Sequence, residues 1–177
     1  SKVLQGYIPQ YSGTIVELLE KSGLKTAYKA NEDAWGHGSS GENSDFGPTK
    51  NPWNIEYVPG GSSSGSAALV SAGMVDVATG TDTGSSIRLP ASFTNTTGIK
   101  TTYGALSRWG VIAFASSLDC PGLVTNSVSE LKKYFQLVAK PDIHDANTQS
   151  PLRSHPVKKI TSLGLPEEYF SKGVDPQ

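Results

Sequence analysis

The sequence predicts an α/β fold, in which helices pack against a β-sheet. Two segments, at about residues 14 to 22 and 127 to 139, carry apolar side chains at helical spacing. Residues 25 to 28 are a short strand candidate, and the pattern at about residues 74 to 80 is typical of a buried strand. Because the first helix leads directly into a strand candidate, the order of the elements favours a layer of helices on a sheet.

The composition restricts the class of protein. A chain of 177 residues is long enough for one domain with its own core, and a formal net charge of -1 predicts no nucleic-acid-binding surface. The single cysteine, Cys120, excludes an internal disulfide and offers no cysteine-based metal cluster. No apolar run approaches the roughly 20 residues of a membrane helix. We therefore expect no metal site and no contact with a membrane.

The ends of the helices are indicated by capping patterns. Thr14 to Glu17 and Ser127 to Glu130 each match a capping box, in which a hydroxyl oxygen binds an unpaired N–H and a glutamate follows three residues later. Gly23 is a suitable end for the first helix. A third helix is predicted at about residues 66 to 73, with Gly73 at its end and small side chains that allow close packing.

The remaining segments give weaker signals. Residues 30 to 60 are polar and rich in turns, and a loop of that length in a compact domain is either functional or disordered. His37 lies in it and is more typical of a surface histidine than of a catalytic base. Residues 98 to 99, 103 to 106 and 111 to 115 are short apolar segments separated by glycines and prolines, and residues 159 to 164 are one more strand candidate.

Two segments rich in glycine and serine carry most of the functional information. Residues 59 to 66 (PGGSSSGS) precede a predicted helix, and residues 80 to 88 (GTDTGSSIR) follow a predicted strand. Glycine lets the backbone approach a ligand closely, and successive N–H groups in such turns form an anion-binding concavity. Serine adds a hydroxyl that can act as a nucleophile. The pair indicates a serine-based site with an oxyanion hole or a phosphate site, and a flexible linker is the third interpretation.

Two known motifs fit the glycine- and serine-rich segments poorly. Gly61 to Gly65 reads G-x-S-x-G, which would make Ser63 the nucleophile of a nucleophile elbow. That motif needs a strand before the turn, whereas residues 53 to 59 are short and bounded by proline and asparagine; the downstream histidines, His144 and His155, lie in polar loops. A Walker-type phosphate site needs a lysine after the glycines, and neither segment has one.

The two segments together resemble the signature of the amidase signature family, whose core reads G-G-S-S-G-G-S followed by G-T-D-x-G-G-S-I-R. The resemblance implies the amidase signature fold, a mixed β-sheet covered by helices. Residues 1 to 177 would form only the central part of that domain, with the segment that carries the family's lysine and the C-terminal part outside it.

The resemblance also implies a Ser-Ser-Lys mechanism with an acyl-enzyme. Ser86 matches the nucleophile, and Ser62 matches the relay serine that follows a cis peptide bond. No lysine of this chain matches the base, so the chain alone is expected to be inactive. The backbone N–H groups implied to form the oxyanion hole are those of Thr83, Gly84, Ser85 and Ser86.

Some residues depart from the family pattern. Ser64 and Ser85 stand where the family has glycines. If either position needs a positive φ, a serine would strain the turn and impair the oxyanion hole. Asp82 and Arg88 are expected to hold the turn rather than to react.

Flanking segments resemble one branch of the family, the glutaminase component of tRNA-dependent amidotransferases. The segments are residues 38 to 44, 46 to 49, 51 to 53, 113 to 119 and 164 to 170. This resemblance implies a glutaminase that supplies ammonia to the amidotransferase B subunit, which converts Glu-tRNA(Gln) to Gln-tRNA(Gln), with a small third subunit in the complex. ATP and magnesium would be used by the partner, and no cofactor is expected in this chain.

Other interpretations of the family resemblance remain. A general or fatty-acid amidase of the same family is one, and a scaffold fragment without catalysis is another. The departures from the bacterial pattern, such as Ser64, indicate the mitochondrial matrix, with a bacterial cytoplasm as the alternative.

Overall fold

The computed structural model describes residues 1–148 and 161–170, which form helices packed on one small sheet. In this part of the chain the α-helices are α1 (Thr14–Lys21), α2 (Ser64–Ser71), α3 (Arg88–Phe93) and α4 (Val128–Val138), and the strands are β1 (Val77–Thr81), β2 (Thr97–Gly98) and β3 (Pro121–Thr125). Short 3-10 helices lie at Lys2–Leu4, Ala34–Gly36 and Glu167–Phe170. The α/β class expected from the sequence is confirmed.

The sheet is built around β3, its central strand. The strand order is β1-β3-β2, and both neighbours run antiparallel to β3, with Thr79 opposite Leu123 and Gly98 opposite Val124. Successive side chains of a strand point to opposite faces of the sheet. Leu123 packs in the cluster with α1 and α4, whereas Val124 packs with α2. Both faces of the sheet are therefore covered by helices.

Two apolar clusters form the core. The larger joins α1, α4 and β3, and its buried members are Ile15, Leu19, Leu106, Leu123, Leu131, Tyr134 and Val138. The smaller joins α2, β3 and the segment before α3, and it contains Ala67, Val70, Ile87 and Val124. Because Ile87 is fully buried in the smaller cluster, it anchors the end of the second glycine- and serine-rich segment.

Helix capping follows the sequence in α4 but not in α1. The Ser127 hydroxyl accepts the N–H of Glu130 at 3.3 Å and donates to the Glu130 carboxylate at 3.0 Å, so this helix is capped at the predicted residue. The predicted capping box of α1 is wrong, because Gly13 is the N-cap and the Thr14 hydroxyl donates to Asp142 at 2.5 Å.

Several predicted elements differ in the structure. The strand predicted at residues 25 to 28 is wrong, since these residues are exposed and form no strand. The strand predicted at residues 74 to 80 is β1, displaced toward its end, and the helix predicted at residues 66 to 73 begins two residues earlier, with Gly73 after it at a φ of 66°.

Two of the short apolar segments form no strand, and the strand predicted at residues 159 to 164 is mostly untested. Residues 103 to 106 are apolar because they form a largely buried turn, and residues 111 to 115 form a largely exposed irregular segment. Of the strand predicted at residues 159 to 164, positions 159 and 160 lie outside the described residues, and 161 to 164 form no strand. No helix among the described residues has the length and apolar character needed to cross a membrane.

Candidate active site

The two glycine- and serine-rich segments meet in the structure. The first contains a cis peptide bond between Gly61 and Ser62 and continues into α2, and the second forms a loop between β1 and α3. The Ser63 N–H donates to the carbonyl of Ser86 at 3.1 Å, and the Ser63 hydroxyl donates to the carbonyl of Thr81 at 3.3 Å. These two hydrogen bonds hold the segments side by side.

Ser62 has an unpaired hydroxyl inside the protein. The side chain is 1% exposed, and its Oγ has no hydrogen-bond partner among the described residues. Buried polar groups are nearly always hydrogen-bonded, because a buried group without a partner costs about 1–3 kcal/mol. A buried hydroxyl without a hydrogen bond therefore points to a functional group. The cis bond before Ser62 is the geometry that the family resemblance implies for the relay serine.

Ser62 and Ser86 line the same cavity, which has a volume of about 290 Å³. Thr83, Asp119 and Trp35 also line this cavity. The structure therefore brings together the two serines that the sequence singled out, in a space of the size that a small amide would occupy.

The backbone of residues 83 to 86 offers unbonded donors beside the serines. Among the described residues, no acceptor binds the N–H groups of Thr83, Gly84, Ser85 and Ser86. Successive free N–H groups form an anion-binding concavity, and donors of this kind stabilise the oxyanion of an acyl-transfer reaction. These are the four groups that the resemblance implies for the oxyanion hole.

Asp82 holds the loop by accepting hydrogen bonds. Its carboxylate is fully buried and accepts the N–H groups of Ile87 and Arg88 at 3.1 and 3.2 Å. The Arg88 guanidinium donates to both carboxylate oxygens at 3.0 Å. Burial raises the pKa of Asp82, but the hydrogen bonds from Arg88 and Ile87 outweigh it, so the pKa lies below its ordinary value. Asp82 is therefore ionised and structural, as expected.

Asp119, which also lines the cavity, supports the loop through Thr83. Its carboxylate accepts the Thr83 hydroxyl at 2.6 Å and the N–H groups of Phe114 and Ala115. Burial raises the pKa of Asp119, but these hydrogen bonds lower it by more, and the net shift is downward. Asp119 has no role that a sequence motif predicts, although it ends one of the segments that resemble the amidotransferase branch of the family.

The serines that replace family glycines do not strain the backbone. Among the described non-glycine residues, positive φ values occur only at Trp35 and Asn95, so Ser64 and Ser85 both have ordinary backbone conformations. Ser64 is buried in the first turn of α2 and shares a hydrogen bond of 2.9 Å with the Thr49 hydroxyl. The conditional expectation of strain at these two positions therefore does not apply.

The competing nucleophile-elbow interpretation finds no support in the geometry. Ser63 is the N-cap of α2, and residues 53 to 59 form turns rather than the strand that the motif needs. The ring of His37 packs edge-on against Phe114 at 4.8 Å, and the ring of His144 stacks on Trp109. None of Ser63, His37 and His144 is among the described residues that line the cavity.

Neither a lysine nor a cluster of metal ligands lies at the site among the described residues. No lysine is among the described residues that line the cavity, so the source of the base stays a prediction. In residues 1–148 and 161–170 no group of three or more histidine, cysteine, aspartate or glutamate side chains is placed to hold a metal ion.

The sequence matches a protein family over nearly its whole length. The family model described as Amidase covers residues 1–176. A relative from Myxococcus xanthus, the A subunit of glutamyl-tRNA(Gln) amidotransferase, is 48% identical over 183 aligned residues, which cover 100% of this chain and 38% of that protein. The chain thus spans well under half the length of this relative.

Solved structures show the same relationship. The crystal structure of the A subunit of glutamyl-tRNA(Gln) amidotransferase from Thermotoga maritima is 46% identical with a TM-score of 0.82, and the match covers 84% of this chain and 33% of that one. An allophanate hydrolase from Kluyveromyces lactis is 38% identical with a TM-score of 0.79, covering 81% and 24% of the two chains. Sequence, fold and the arrangement of the paired serines agree, and this chain belongs to the amidase family.

Proposed function

We propose that the protein containing this chain is the glutamine-hydrolysing subunit of a glutamyl-tRNA(Gln) amidotransferase. The observation that carries the proposal is the buried, unpaired hydroxyl of Ser62, which shares a cavity with Ser86 beside four unbonded backbone N–H groups. The names of the relatives from Myxococcus xanthus and Thermotoga maritima support the choice of glutamine and tRNA as reactants.

The proposed reaction proceeds through an acyl-enzyme. Ser86 Oγ attacks the side-chain carboxamide carbon of glutamine, and its proton passes to Ser62, whose own proton passes to a lysine outside residues 1–177. The oxyanion that forms accepts hydrogen bonds from the backbone N–H groups of residues 83 to 86. When the C–N bond breaks, the proton returns to the nitrogen and ammonia leaves. Water then hydrolyses the glutamyl ester to glutamate and restores Ser86.

The proposal extends to the partners of the whole protein. Ammonia would pass to the amidotransferase B subunit, which uses ATP and magnesium to activate the glutamate carried by tRNA, with a small third subunit in the complex. This chain itself would need no cofactor. Of the two compartments expected from the sequence, the origin of the relative in Myxococcus xanthus favours the bacterial cytoplasm over the mitochondrial matrix. Fractionation of source cells with an antibody to this chain decides between them.

The function is tested by substitution of the nucleophile. In the natural protein with its partner subunits, Ser86→Ala should lower glutamate release from glutamine at least about 1,000-fold, because no other group can form the acyl-enzyme. Ser129→Ala, an exposed serine on α4, is the matched control and should keep the wild-type rate. Ammonium chloride should restore Gln-tRNA(Gln) synthesis by Ser86→Ala, since only the ammonia supply is lost. Wild-type glutamine hydrolysis by Ser86→Ala contradicts the proposal.

A second candidate is a general or fatty-acid amidase of the same family. The similarity to the allophanate hydrolase from Kluyveromyces lactis favours it, because that enzyme has the same fold and its name gives a different substrate. Comparison of kcat/KM for glutamine, short aliphatic amides and long-chain fatty amides separates the two functions. A scaffold without catalysis predicts that none of these amides is hydrolysed.

A further inference from the structure

The loop of residues 82 to 86, the hole loop, has each of its carbonyl oxygens bound by a protein donor. Lys100 Nζ donates to the carbonyls of Asp82 and Thr83 at 2.5 and 3.2 Å. The other three carbonyls are bound by Arg88 Nη2 at Gly84, by the Leu89 N–H at Ser85 and by the Ser63 N–H at Ser86, at 2.7, 2.8 and 3.1 Å.

The direction of each carbonyl fixes the direction of the next N–H group. In a planar trans peptide the C=O and the following N–H point to opposite sides of the chain. Among the described residues the cis bond is at Gly61–Ser62, so the peptides of the hole loop are trans. A donor that holds the carbonyls of Asp82 and Thr83 therefore also turns the N–H groups of Thr83 and Gly84 away from itself.

Lys100 is the donor that holds both of these carbonyls. It follows β2, its side chain is 27% exposed, and its ammonium lies 3.5 Å from Asp82 Oδ1. The same ammonium donates to the carbonyl of Leu118 at 3.5 Å, next to Asp119, which accepts the Thr83 hydroxyl. A lysine ammonium has three donors around one point charge, which suits several converging carbonyls better than the flat fork of an arginine.

We propose that Lys100 is a positioning residue of the oxyanion hole. It sets the peptide planes that present the N–H groups of Thr83 and Gly84 to the oxyanion, and it takes no part in proton transfer, because its ammonium is engaged with the carbonyls and with Asp82. This inference rests on the proposed amide hydrolysis at Ser86 and adds a residue that acts through the backbone of the hole loop.

The test uses Lys100→Met and Lys100→Arg in the natural protein with its partners, with Lys132→Met on the exposed face of α4 as the matched control. Loss of an oxyanion-hole donor typically lowers kcat by about 100- to 1,000-fold. Because Lys100 orients the donors rather than supplying one, we expect Lys100→Met to lower kcat about 10- to 100-fold at nearly unchanged KM. The rate at which a fluorophosphonate labels Ser86 should fall in parallel, since its phosphoryl oxygen occupies the hole. Lys100→Arg should lie between Lys100→Met and the wild type.

Several results would overturn the inference. A folded Lys100→Met protein with the wild-type kcat removes the positioning role, and a raised KM at unchanged kcat assigns Lys100 to substrate binding instead. If Lys100→Met does not fold, Lys100→Gln is measured in its place, because the amide keeps a donor for one carbonyl. Failure of both variants to fold assigns a purely structural role. A wild type that hydrolyses no amide and takes no label refutes the proposed function. An active wild type with an equally active Lys100→Met refutes only the positioning role of Lys100, so the two failures are distinguishable.

Discussion

At the scale of single residues, buried carboxylates organise the loops around the site. Asp82 and Asp119 both have pKa values below the ordinary range, and each uses its oxygens to accept backbone N–H groups or hydroxyls of a neighbouring loop. Ionised carboxylates of this kind act as fixed acceptors rather than as acids. The two serines that we propose to react, Ser62 and Ser86, line the cavity together with Asp119.

Asp145 offers a test of this use of carboxylates. It accepts the N–H and the guanidinium of Arg108 at 2.9 to 3.1 Å, and this bonding holds its pKa well below the ordinary range. In the natural protein, Asp145→Asn should lower the free energy of unfolding at pH 7 by about 3 kcal/mol, because it leaves a largely buried guanidinium without its counter-charge.

The same pair predicts a pH dependence. A carboxylate with a depressed folded-state pKa contributes its full stability above its unfolded pKa of about 3.9 and loses it as the pH falls toward the folded value. The difference in urea midpoint between the wild type and Asp145→Asn should therefore shrink from pH 7 to pH 3. A difference that is the same at both values would mean that the bond to Arg108 does not depend on the charge of Asp145.

At the scale of elements, the helices could be predicted and the central strand could not. α1 and α4 were found because their apolar residues recur at helical spacing and because Ser127 caps α4. β3 was missed because it opens with Pro121 and Gly122, which look like a turn, and because its residues are buried on both faces and do not alternate. A Cβ at position 122 would collide with the carbonyl oxygen of Ile99, so the glycine reflects close strand packing.

The candidate site shows the same division. Ser62, Ser86 and the four N–H groups could be predicted because they lie in short motifs. Such motifs can be recognised in the sequence without knowledge of the fold. Asp119 and Lys100 were missed because their roles depend on β2 and β3 bringing distant segments beside the hole loop. Such contacts have no local sequence signal. α3 was missed as well, since a helix of six residues that contains Pro90 shows no period.

The missed strand β3 carries a prediction of its own. Leu123 is fully buried in the larger apolar cluster, between α1 and α4. Leu123→Ala in the natural protein should lower the free energy of unfolding by about 2–5 kcal/mol, measured by urea denaturation, since it removes apolar contacts and leaves a cavity. Leu163→Ala is the control, because that side chain is 84% exposed. Equal midpoints for the two variants would remove Leu123 from the core.

At the scale of the whole molecule, the chain would provide the serine half of the catalytic site that we propose. The sheet and its helices hold two glycine- and serine-rich segments together, and Ser62 and Ser86, the relay serine and the nucleophile that we propose, line one cavity. The relatives are much longer than this chain, which covers 38% of the protein from Myxococcus xanthus. The proposed lysine would lie in the part of such a longer protein that this chain does not cover, and the proposed partner subunits would bind that longer protein.

Covalent labelling shows whether Ser86 is the activated nucleophile that we propose. The natural protein would be treated with a fluorophosphonate, digested, and mapped by mass spectrometry, alongside Ser62→Ala and Ser129→Ala. We predict a single adduct on Ser86, formed at the same rate in Ser129→Ala and at least about 10-fold more slowly in Ser62→Ala, where the proton relay is lost. An adduct on Ser63, or no adduct on a protein that hydrolyses glutamine, would contradict the assignment.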